Sequence, residues 1–180
     1  MTGRYEVPFE RSYWVIPGKF LAGYYPGDRK PEQEYMKLKG LVKAGIRCMV
    51  NLMEEEELNH IGQIFKPYES VLVDIAAGMG IEIVNNRIPI RDVHVPAKNT
   101  MISMLDLIDQ QIKQCCPVYI HCWGGRGRTG TVVGCYLARH GEKDPLAVIK
   151  LLRINDPTVC YPSPETREQC EMVRTWHPGE

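Results

Sequence analysis

The sequence has no apolar segment long enough to cross a membrane, because no run of about 18 apolar residues occurs along the chain. Residues 1–18 carry charged side chains at positions 4, 6, 10 and 11 and lack the apolar stretch of a secretory signal. These absences argue against an integral membrane protein and against a secreted one. We therefore expect a cytoplasmic protein without membrane insertion.

The chain also lacks a net charge, a disulfide pattern and a zinc motif. Its 22 Lys and Arg residues balance 22 Asp and Glu residues, so no overall charge predicts a nucleic-acid partner. The seven cysteines are odd in number and irregularly spaced, which favours a reducing compartment. No Cys-x-x-Cys pair occurs and the five histidines are scattered, so we predict neither a metal nor another cofactor.

The length and hydrophobic content predict one domain. A chain of 180 residues with 44% hydrophobic residues suffices for one sizeable core, and no repeat, low-complexity tract or linker interrupts it. We expect residues 1–180 to form a single domain that is monomeric.

Apolar periodicity and turn residues predict strands that alternate with helices. Gly141 and the Asp144-Pro145 pair mark the end of one helix and the start of the next, and Ser163-Pro164 is interpreted as a second such start. The fold class that follows is α/β, with a central, mostly parallel twisted sheet flanked by helices. Strands are predicted within residues 12–25, 46–52, 81–84 and 118–120, and helices at residues 31–44, 67–77, from 99 or 100 to 112, 131–140, 145–154 and 164–176. The first helix is expected to have one apolar face, formed by Tyr35, Leu38, Leu41 and Val42. The third is expected to have Asn99 or Thr100 as its N-cap and a buried stripe formed by Met101, Met104, Leu105, Ile108 and Ile112.

The most informative segment is the cysteine loop, residues 121–130, which reads His-Cys-Trp-Gly-Gly-Arg-Gly-Arg-Thr-Gly. It lies between a β-prone run and a helix start, so unpaired backbone N–H groups and the positive end of the helix dipole converge there. Gly124, Gly125 and Gly127 allow successive amides to point inward and form a binding site for a phosphate. The same field favours the thiolate form of Cys122, which makes this residue a nucleophile.

Arg128 completes this prediction, because its planar guanidinium can bind two phosphoryl oxygens at once. A simpler interpretation is a structural strand-to-helix turn, with Cys122 as a small buried residue and Arg128 as a surface charge. That interpretation leaves the glycines unexplained.

The cysteine loop resembles the signature of the cysteine-dependent protein tyrosine phosphatase superfamily, His-Cys-(five residues)-Arg-Thr. Over about residues 13–176 the chain resembles a compact atypical dual-specificity phosphatase. The resemblance implies that the phosphate is bound by the loop residues and that three other residues assist Cys122. The implied binding residues are Trp123, Gly124, Gly125, Arg126, Gly127 and Arg128. The implied assisting residues are His121, which orients the cysteine, Thr129, whose hydroxyl bonds the sulfur, and Gln169, which positions the hydrolytic water.

Two of these implied roles have alternatives. Residues 165–169 are similar to the family segment Gln-Thr-x-x-Gln, but Glu165 departs from its first position. Gln169 is therefore either the water-positioning residue or a residue of the helix surface. His121 is either an orienting residue or a histidine of the core at the end of a strand.

Displacement of a phosphoryl group requires an acid that protonates the leaving oxygen. Asp92 lies in a proline-bracketed loop, residues 88–96, at the place where the resembling family keeps its general acid. The alternative is an aspartate that only starts a turn. Other aspartates are weaker candidates, because they lie within predicted helices or belong to Asp-Pro pairs after the loop: Asp74, Asp106, Asp109, Asp144 and Asp156.

The expected function is hydrolysis of phosphotyrosine in a phosphoprotein or phosphopeptide through a phosphocysteine intermediate, with phosphoserine and phosphothreonine left open. The alternatives are a phosphoinositide phosphatase, favoured by Arg126, and a non-catalytic phosphate-binding protein.

Three further features have interpretations at this stage. The Trp123 side chain either contacts the aromatic ring of a phosphotyrosine substrate or only packs against the protein. The acidic residues 54–57 either repel polyphosphorylated substrates from the rim or form a solvated helix start. Met53 stands where relatives with an inhibitory disulfide have a cysteine, and we expect Cys48 and Cys135 to be core residues.

Overall fold

The structure is a computed structural model and describes residues 6–180. A five-stranded sheet has the order β1-β2-β5-β3-β4, in which β1 and β2 are antiparallel and all other neighbours are parallel. This arrangement confirms the predicted fold class. The elements in chain order are β1 (Ser12–Ile16), β2 (Phe20–Tyr24), α1 (Pro31–Lys43), β3 (Cys48–Asn51), α2 (Glu69–Gly78), β4 (Val84–Arg87), α3 (Lys98–Lys113), β5 (Val118–Cys122), α4 (Gly127–Arg139), α5 (Pro145–Leu152) and α6 (Arg167–Arg174).

The central strand β5 positions the cysteine loop. It lies between β2 and β3, and all five of its residues are buried. The helix that follows, α4, packs against β2 and β5 and also contacts α3, α5 and α6, whereas α1 packs against α2. Because β2, β3 and β5 are parallel, their carboxyl ends meet at one edge of the sheet, where ligands of open α/β folds bind.

Several helix boundaries confirm the sequence predictions. Asp144 caps α5 by accepting a hydrogen bond from the backbone N–H of Ala147, and Pro145 is the first residue of that helix. Gly141 follows α4 with a φ of 89°, a conformation that favours glycine. The predicted apolar stripe of α3 is buried at four of its five positions, Met101, Met104, Leu105 and Ile108.

Four local predictions were wrong. The strand predicted at residues 81–84 lies at 84–87, because β4 is a polar edge strand without apolar periodicity. Ser163-Pro164 does not open a helix; α6 begins at Arg167 with Thr166 as its N-cap. Neither Asn99 nor Thr100 is the N-cap of α3, because the helix begins at Lys98 and Ala97 is at the N-cap position. Tyr35, predicted to share one apolar face of α1 with Leu38, Leu41 and Val42, is exposed, whereas Lys37 is buried and ion-paired.

Among the described residues, no helix combines the length and the apolar character that a membrane span needs. All seven cysteines are free thiols. Cys48 and Cys135 are buried, as expected, and burial raises the pKa of Cys48 to about 11 and that of Cys135 to about 12. These two cysteines are therefore protonated at neutral pH.

Candidate active site

The cysteine loop connects the end of β5 to the first turn of α4 at the carboxyl edge of the sheet. Cys122 is the last residue of β5 and is only 2% exposed. Gly125 has a φ of 71°, and a Cβ at this position would lie 2.6 Å from the backbone of Gly23 in β2. Only glycine satisfies both the conformation and the close approach, so β2 holds the loop in its turn.

The carbonyl groups of the loop are bonded to donors from other parts of the fold. Three of them have such partners: Trp123 O accepts from Tyr25 N at 3.1 Å, Gly124 O from Arg11 Nη2 at 2.9 Å, and Arg126 O from Ser163 Oγ at 2.9 Å. In a planar trans peptide the following N–H points opposite to the carbonyl. The N–H groups of residues 124, 125 and 127 are therefore turned away from these partners, toward the inside of the loop.

The inward-turned amides have no protein partner. None of the backbone N–H groups of residues 123–128 donates a hydrogen bond to any atom of residues 6–180. Buried or partly buried amides rarely stay unpaired, and six in succession at a helix N-terminus form an anion-binding nest. The predicted phosphate site thus has its donors in place.

Thr129 lies beside the sulfur of Cys122, as the sequence resemblance implied. Its Oγ1 is 3.1 Å from Cys122 Sγ, and both residues are buried. A hydroxyl at this distance can donate to a thiolate and so stabilise the sulfur as an anion.

Arg128 is the most deeply buried charge at the site, with a side chain only 1% exposed. Its Nη1 and Nη2 donate to the two carboxylate oxygens of Glu57 at 2.5 and 2.7 Å, and its Nη1 also donates to Ile90 O at 3.1 Å. Burial acts to lower the pKa of Arg128, but the hydrogen bonds to Glu57 and the nearby charges of Cys122, Glu57 and Asp92 together outweigh it, so the pKa is raised. Its Nε is buried and has no hydrogen-bond partner among residues 6–180. One edge of the guanidinium is thus occupied by Glu57, and Nε is left for a ligand.

Asp92 contacts the same guanidinium from the loop of residues 88–96. Its Oδ1 is 3.0 Å from Arg128 Nη2, and its side chain is 48% exposed. The loop turns sharply at Val93, whose φ of 59° is rare for a β-branched residue, and His94 Nδ1 lies 2.7 Å from Asp92 O. The structure therefore brings Asp92 to the site. The competing aspartates are occupied elsewhere or lie within α2: Asp106 and Asp109 pair with Arg139, Asp144 caps α5, Asp156 pairs with Arg153, and Asp74 belongs to α2.

His121 is fully buried beneath the loop. Its Nε2 lies 2.6 Å from the hydroxyl of Tyr68, and its Nδ1 lies 3.3 Å from Cys122 O. Burial lowers the pKa of His121 from 6.5 to about 3, so the imidazole is neutral. Nδ1 then carries the proton and donates to Cys122 O, while Nε2 accepts from Tyr68. His121 is thus a core histidine whose Nδ1 also contacts the first peptide of the loop.

Gln169 is buried, so the alternative that placed it on the helix surface is wrong. Its Oε1 accepts from the backbone N–H groups of Glu165 and Thr166 at 3.1 and 3.2 Å, which completes a capping box. Its Nε2 donates to His94 O at 3.1 Å and carries a second N–H. The side chain thus links the start of α6 to the Asp92 loop.

The side chains of Trp123 and Arg126 are bound to their neighbours. The Trp123 ring is stacked on His60 with centroids 5.9 Å apart and contacts Phe65 edge-on at 5.4 Å. Arg126 Nη2 is 2.6 Å from Glu165 Oε1. In the predicted phosphate-binding set, the donors without a hydrogen-bond partner among residues 6–180 include the backbone amides of residues 123–128 and the buried Arg128 Nε.

Sequence reasoning missed Glu57 as a site residue. We expected residues 54–57 to act together, either by repelling polyphosphorylated substrates from the rim or as a solvated helix start, but Glu54, Glu55 and Glu56 are exposed whereas the Glu57 side chain is 8% exposed. No helix begins at this run, so the solvated helix start was also wrong. The residues 54–66 form an irregular segment with one isolated bridge, Leu58 to Ile64. Nothing in the run of four identical residues distinguishes the last one.

Comparisons with known proteins give one family match and several relatives. A family profile described as "PTP-SAK: Swiss Army Knife protein, DSP-PTPase phosphatase domain" matches residues 10–180. Among curated relatives, the Uncharacterized protein MJ0215 of Methanocaldococcus jannaschii is 31% identical over 48% of this chain and 50% of its own length. Human dual specificity protein phosphatase CDC14A is 26% identical over 80% of this chain but 22% of its own length. The chain thus spans half or less of these two relatives.

Solved structures share the fold at low sequence identity. Tk-PTP in its active form superposes with a TM-score of 0.62 at 22% identity, covering 91% of this chain and 94% of its own. A cysteine-to-serine variant of TpbA from P. aeruginosa, in complex with pTyr, has a TM-score of 0.64 at 14% identity over 97% and 92% of the two chains. PTPMT1 in complex with PI(5)P has a TM-score of 0.63 at 16% identity over 93% and 95%.

Proposed function

Because the chain belongs to the DSP-PTPase family of phosphatases, we propose that it hydrolyses phosphomonoesters on proteins, and phosphotyrosine in particular, through a phosphocysteine intermediate. One observation carries this proposal: the six amides of residues 123–128, which directly follow Cys122, and Arg128 Nε have no hydrogen-bond partner among residues 6–180. These donors match the oxygens of a phosphoryl group, and Cys122 lies where it can attack the phosphorus.

In the first step, the thiolate of Cys122 attacks phosphorus, so that the sulfur–phosphorus bond forms and the bond to the leaving oxygen breaks. Asp92, in its protonated form, gives its proton to that oxygen. The loop amides and Arg128 stabilise the negative charge on the three equatorial oxygens during the transfer.

The donors of Arg128 are arranged so that substrate binding can release Asp92 for the first step. Glu57 keeps one edge of the guanidinium, and Asp92 occupies the remaining hydrogen of Nη2. An arriving phosphoryl group pairs with Nε and displaces Asp92 from Nη2, which releases the carboxyl group toward the leaving oxygen. Substrate binding thereby brings the acid into position.

In the second step, Asp92 removes a proton from water, which attacks the phosphorus and breaks the bond to sulfur. The Thr129 hydroxyl, 3.1 Å from the sulfur, stabilises the departing thiolate. We assign the positioning of the water to the second N–H of Gln169, whose first N–H is bound to His94 O.

The choice of phosphotyrosine is supported by the aromatic pair beside the loop. Trp123 is partly exposed, and His60 stacks on it with an interplanar angle of 6°. A flat surface of this kind can contact the phenyl ring of a substrate.

Arg126 favours a second candidate substrate, a phosphoinositide, and the structural neighbour PTPMT1 was solved in complex with PI(5)P.

The test is phosphate release from a phosphotyrosine peptide, a phosphothreonine peptide and a phosphoinositide, with EDTA present. We expect the wild type to act best on phosphotyrosine and Cys122→Ser to release no phosphate, while Cys115→Ser, altered at an exposed thiol, keeps full activity. Acid-quenched mass spectrometry should detect phosphate on Cys122. Turnover that survives Cys122→Ser contradicts the mechanism, and binding without turnover by the wild type indicates a phosphate-binding protein.

A further inference from the structure

The second cation of the cysteine loop, Arg126, is held by one carboxylate. Its Nη2 lies 2.6 Å from Glu165 Oε1, and the two side chains are 24% and 29% exposed. The guanidinium also lies over the ring of Tyr161, with its carbon 5.0 Å from the ring centroid. Arg126 is thus bound on two sides by residues that precede α6.

Glu165 lies directly against the backbone of the loop. A Cβ built on Gly127 would be only 2.5 Å from Glu165 Oε2, so the carboxylate occupies space that a side chain at position 127 would need. The backbone around Glu165 is fixed as well, because its N–H donates to Gln169 Oε1 at 3.1 Å and the nearby Ser163 Oγ donates to Arg126 O at 2.9 Å. The negative charge is therefore held next to the first turn of α4.

This placement has different consequences for two classes of substrate. A single phosphate is bound by the loop amides and Arg128, and the neutral Arg126–Glu165 pair changes little beside it. A second phosphate on the same substrate meets a fixed carboxylate and finds Arg126 already paired. Like charges at a partly buried position repel strongly enough to select between substrates.

We propose that Glu165 determines specificity: by pairing with Arg126, it excludes substrates that carry a second phosphate next to the scissile one. This inference rests on the proposed function and narrows it to monophosphorylated substrates such as protein side chains. Glu165 touches the loop but not the reacting atoms, so its removal should change selectivity more than catalysis.

The experiment compares kcat/KM for a phosphotyrosine peptide and for a short-chain phosphatidylinositol bisphosphate with vicinal phosphates. The proteins are the wild type, Glu165→Gln, Arg126→Met and the double variant. Glu168→Gln is the matched control, since Glu168 is an exposed carboxylate of the same region without an ion pair among the described residues. We expect Glu165→Gln to raise activity on the bisphosphate by up to about fivefold, the upper end of the effect of one surface charge pair, and activity on the peptide less than about twofold.

The double variant identifies the residue responsible. If Arg126 is the cation released, Arg126→Met in the Glu165→Gln background abolishes the gain on the bisphosphate. A gain that survives in the double variant, an equal gain on both substrates, or the same gain in Glu168→Gln overturns the proposal.

A binding measurement separates this proposal from the catalytic one. In the Cys122→Ser background, calorimetry with inositol bisphosphate and with inorganic phosphate needs no turnover. Glu165→Gln should tighten binding of the bisphosphate by up to about fivefold and leave inorganic phosphate unchanged. Absence of turnover with this selective tightening contradicts the proposed function but supports the role of Glu165, and unchanged binding of both ligands overturns that role.

Discussion

Replacing Glu57 with glutamine removes one charge from a nearly buried ion pair and keeps the size of the side chain. The pair joins Glu57 to Arg128 through contacts of 2.5 and 2.7 Å, and its side chains are 8% and 1% exposed. Loss of one partner from a buried pair costs about 3–5 kcal/mol, because the other charge stays buried without compensation. Arg128 keeps Asp92 at 3.0 Å, so we expect the lower end, about 3 kcal/mol. For a protein of this size the melting temperature should fall by roughly 6–12 °C.

The assay is thermal unfolding followed by circular dichroism, with and without inorganic phosphate. A phosphate bound in the loop supplies the negative charge that Arg128 has lost, so it should raise the melting temperature of Glu57→Gln more than that of the wild type. Glu56→Gln is the control, because Glu56 is exposed and has no ion pair within residues 6–180.

Two results would refute the reasoning. If Glu57→Gln unfolds at the same temperature as Glu56→Gln, the charge of Arg128 does not depend on Glu57. If phosphate stabilises the wild type and Glu57→Gln equally, the bound anion does not compensate Arg128, and the phosphate site lies elsewhere.

Three further predictions concern the surroundings of Cys122. The pKa of His121 is lowered from 6.5 to about 3, so its contribution to stability is complete above pH 6.5 and is lost at up to about 1.4 kcal/mol per pH unit as the pH falls toward 3. The urea midpoints of the wild type and His121→Gln should therefore converge from pH 7 to pH 5, and parallel midpoints would show that His121 titrates normally. Arg11→Met removes the donor to Gly124 O and should lower kcat/KM about tenfold with a small change in melting temperature, whereas Arg11→Lys should recover part of the loss. Asp92→Ala should reduce turnover about 100-fold on alkyl phosphates and far less on p-nitrophenyl phosphate, and equal losses on both would remove the acid role.

The features that could be predicted from the sequence depend on neighbours in the chain. The cysteine loop, its helix and the cap at Asp144 are local structures, formed by glycine conformations and unpaired helix amides within a few residues. The apolar stripe of α3 was likewise visible as a helical period. The strand β4 was displaced in the prediction because its residues, Val84–Arg87, are mostly polar and lie at the edge of the sheet.

The features that could not be predicted depend on residues that are distant in the chain. Glu57 and Arg128 are 71 positions apart, and Arg11 and Gly124 are 113 apart. Which of four consecutive glutamates turns inward is decided by the path of residues 54–66, not by the type of residue. Tyr68 gave no sequence signal either, although it bonds His121.

The sequence by itself was enough to predict the chemistry of the site. The order His-Cys, three glycines and Arg-Thr between a strand and a helix predicts a nucleophile in an anion-binding loop, because those properties arise from local backbone conformation. Only the tertiary structure decided how the charges around that loop are balanced. Glu57 occupies one edge of Arg128, Glu165 neutralises Arg126, and donors from the residue after β2 and from the N-terminal segment hold the loop carbonyls. Charge balance depends on distances across the fold, and these become defined only when the sheet and its helices pack together.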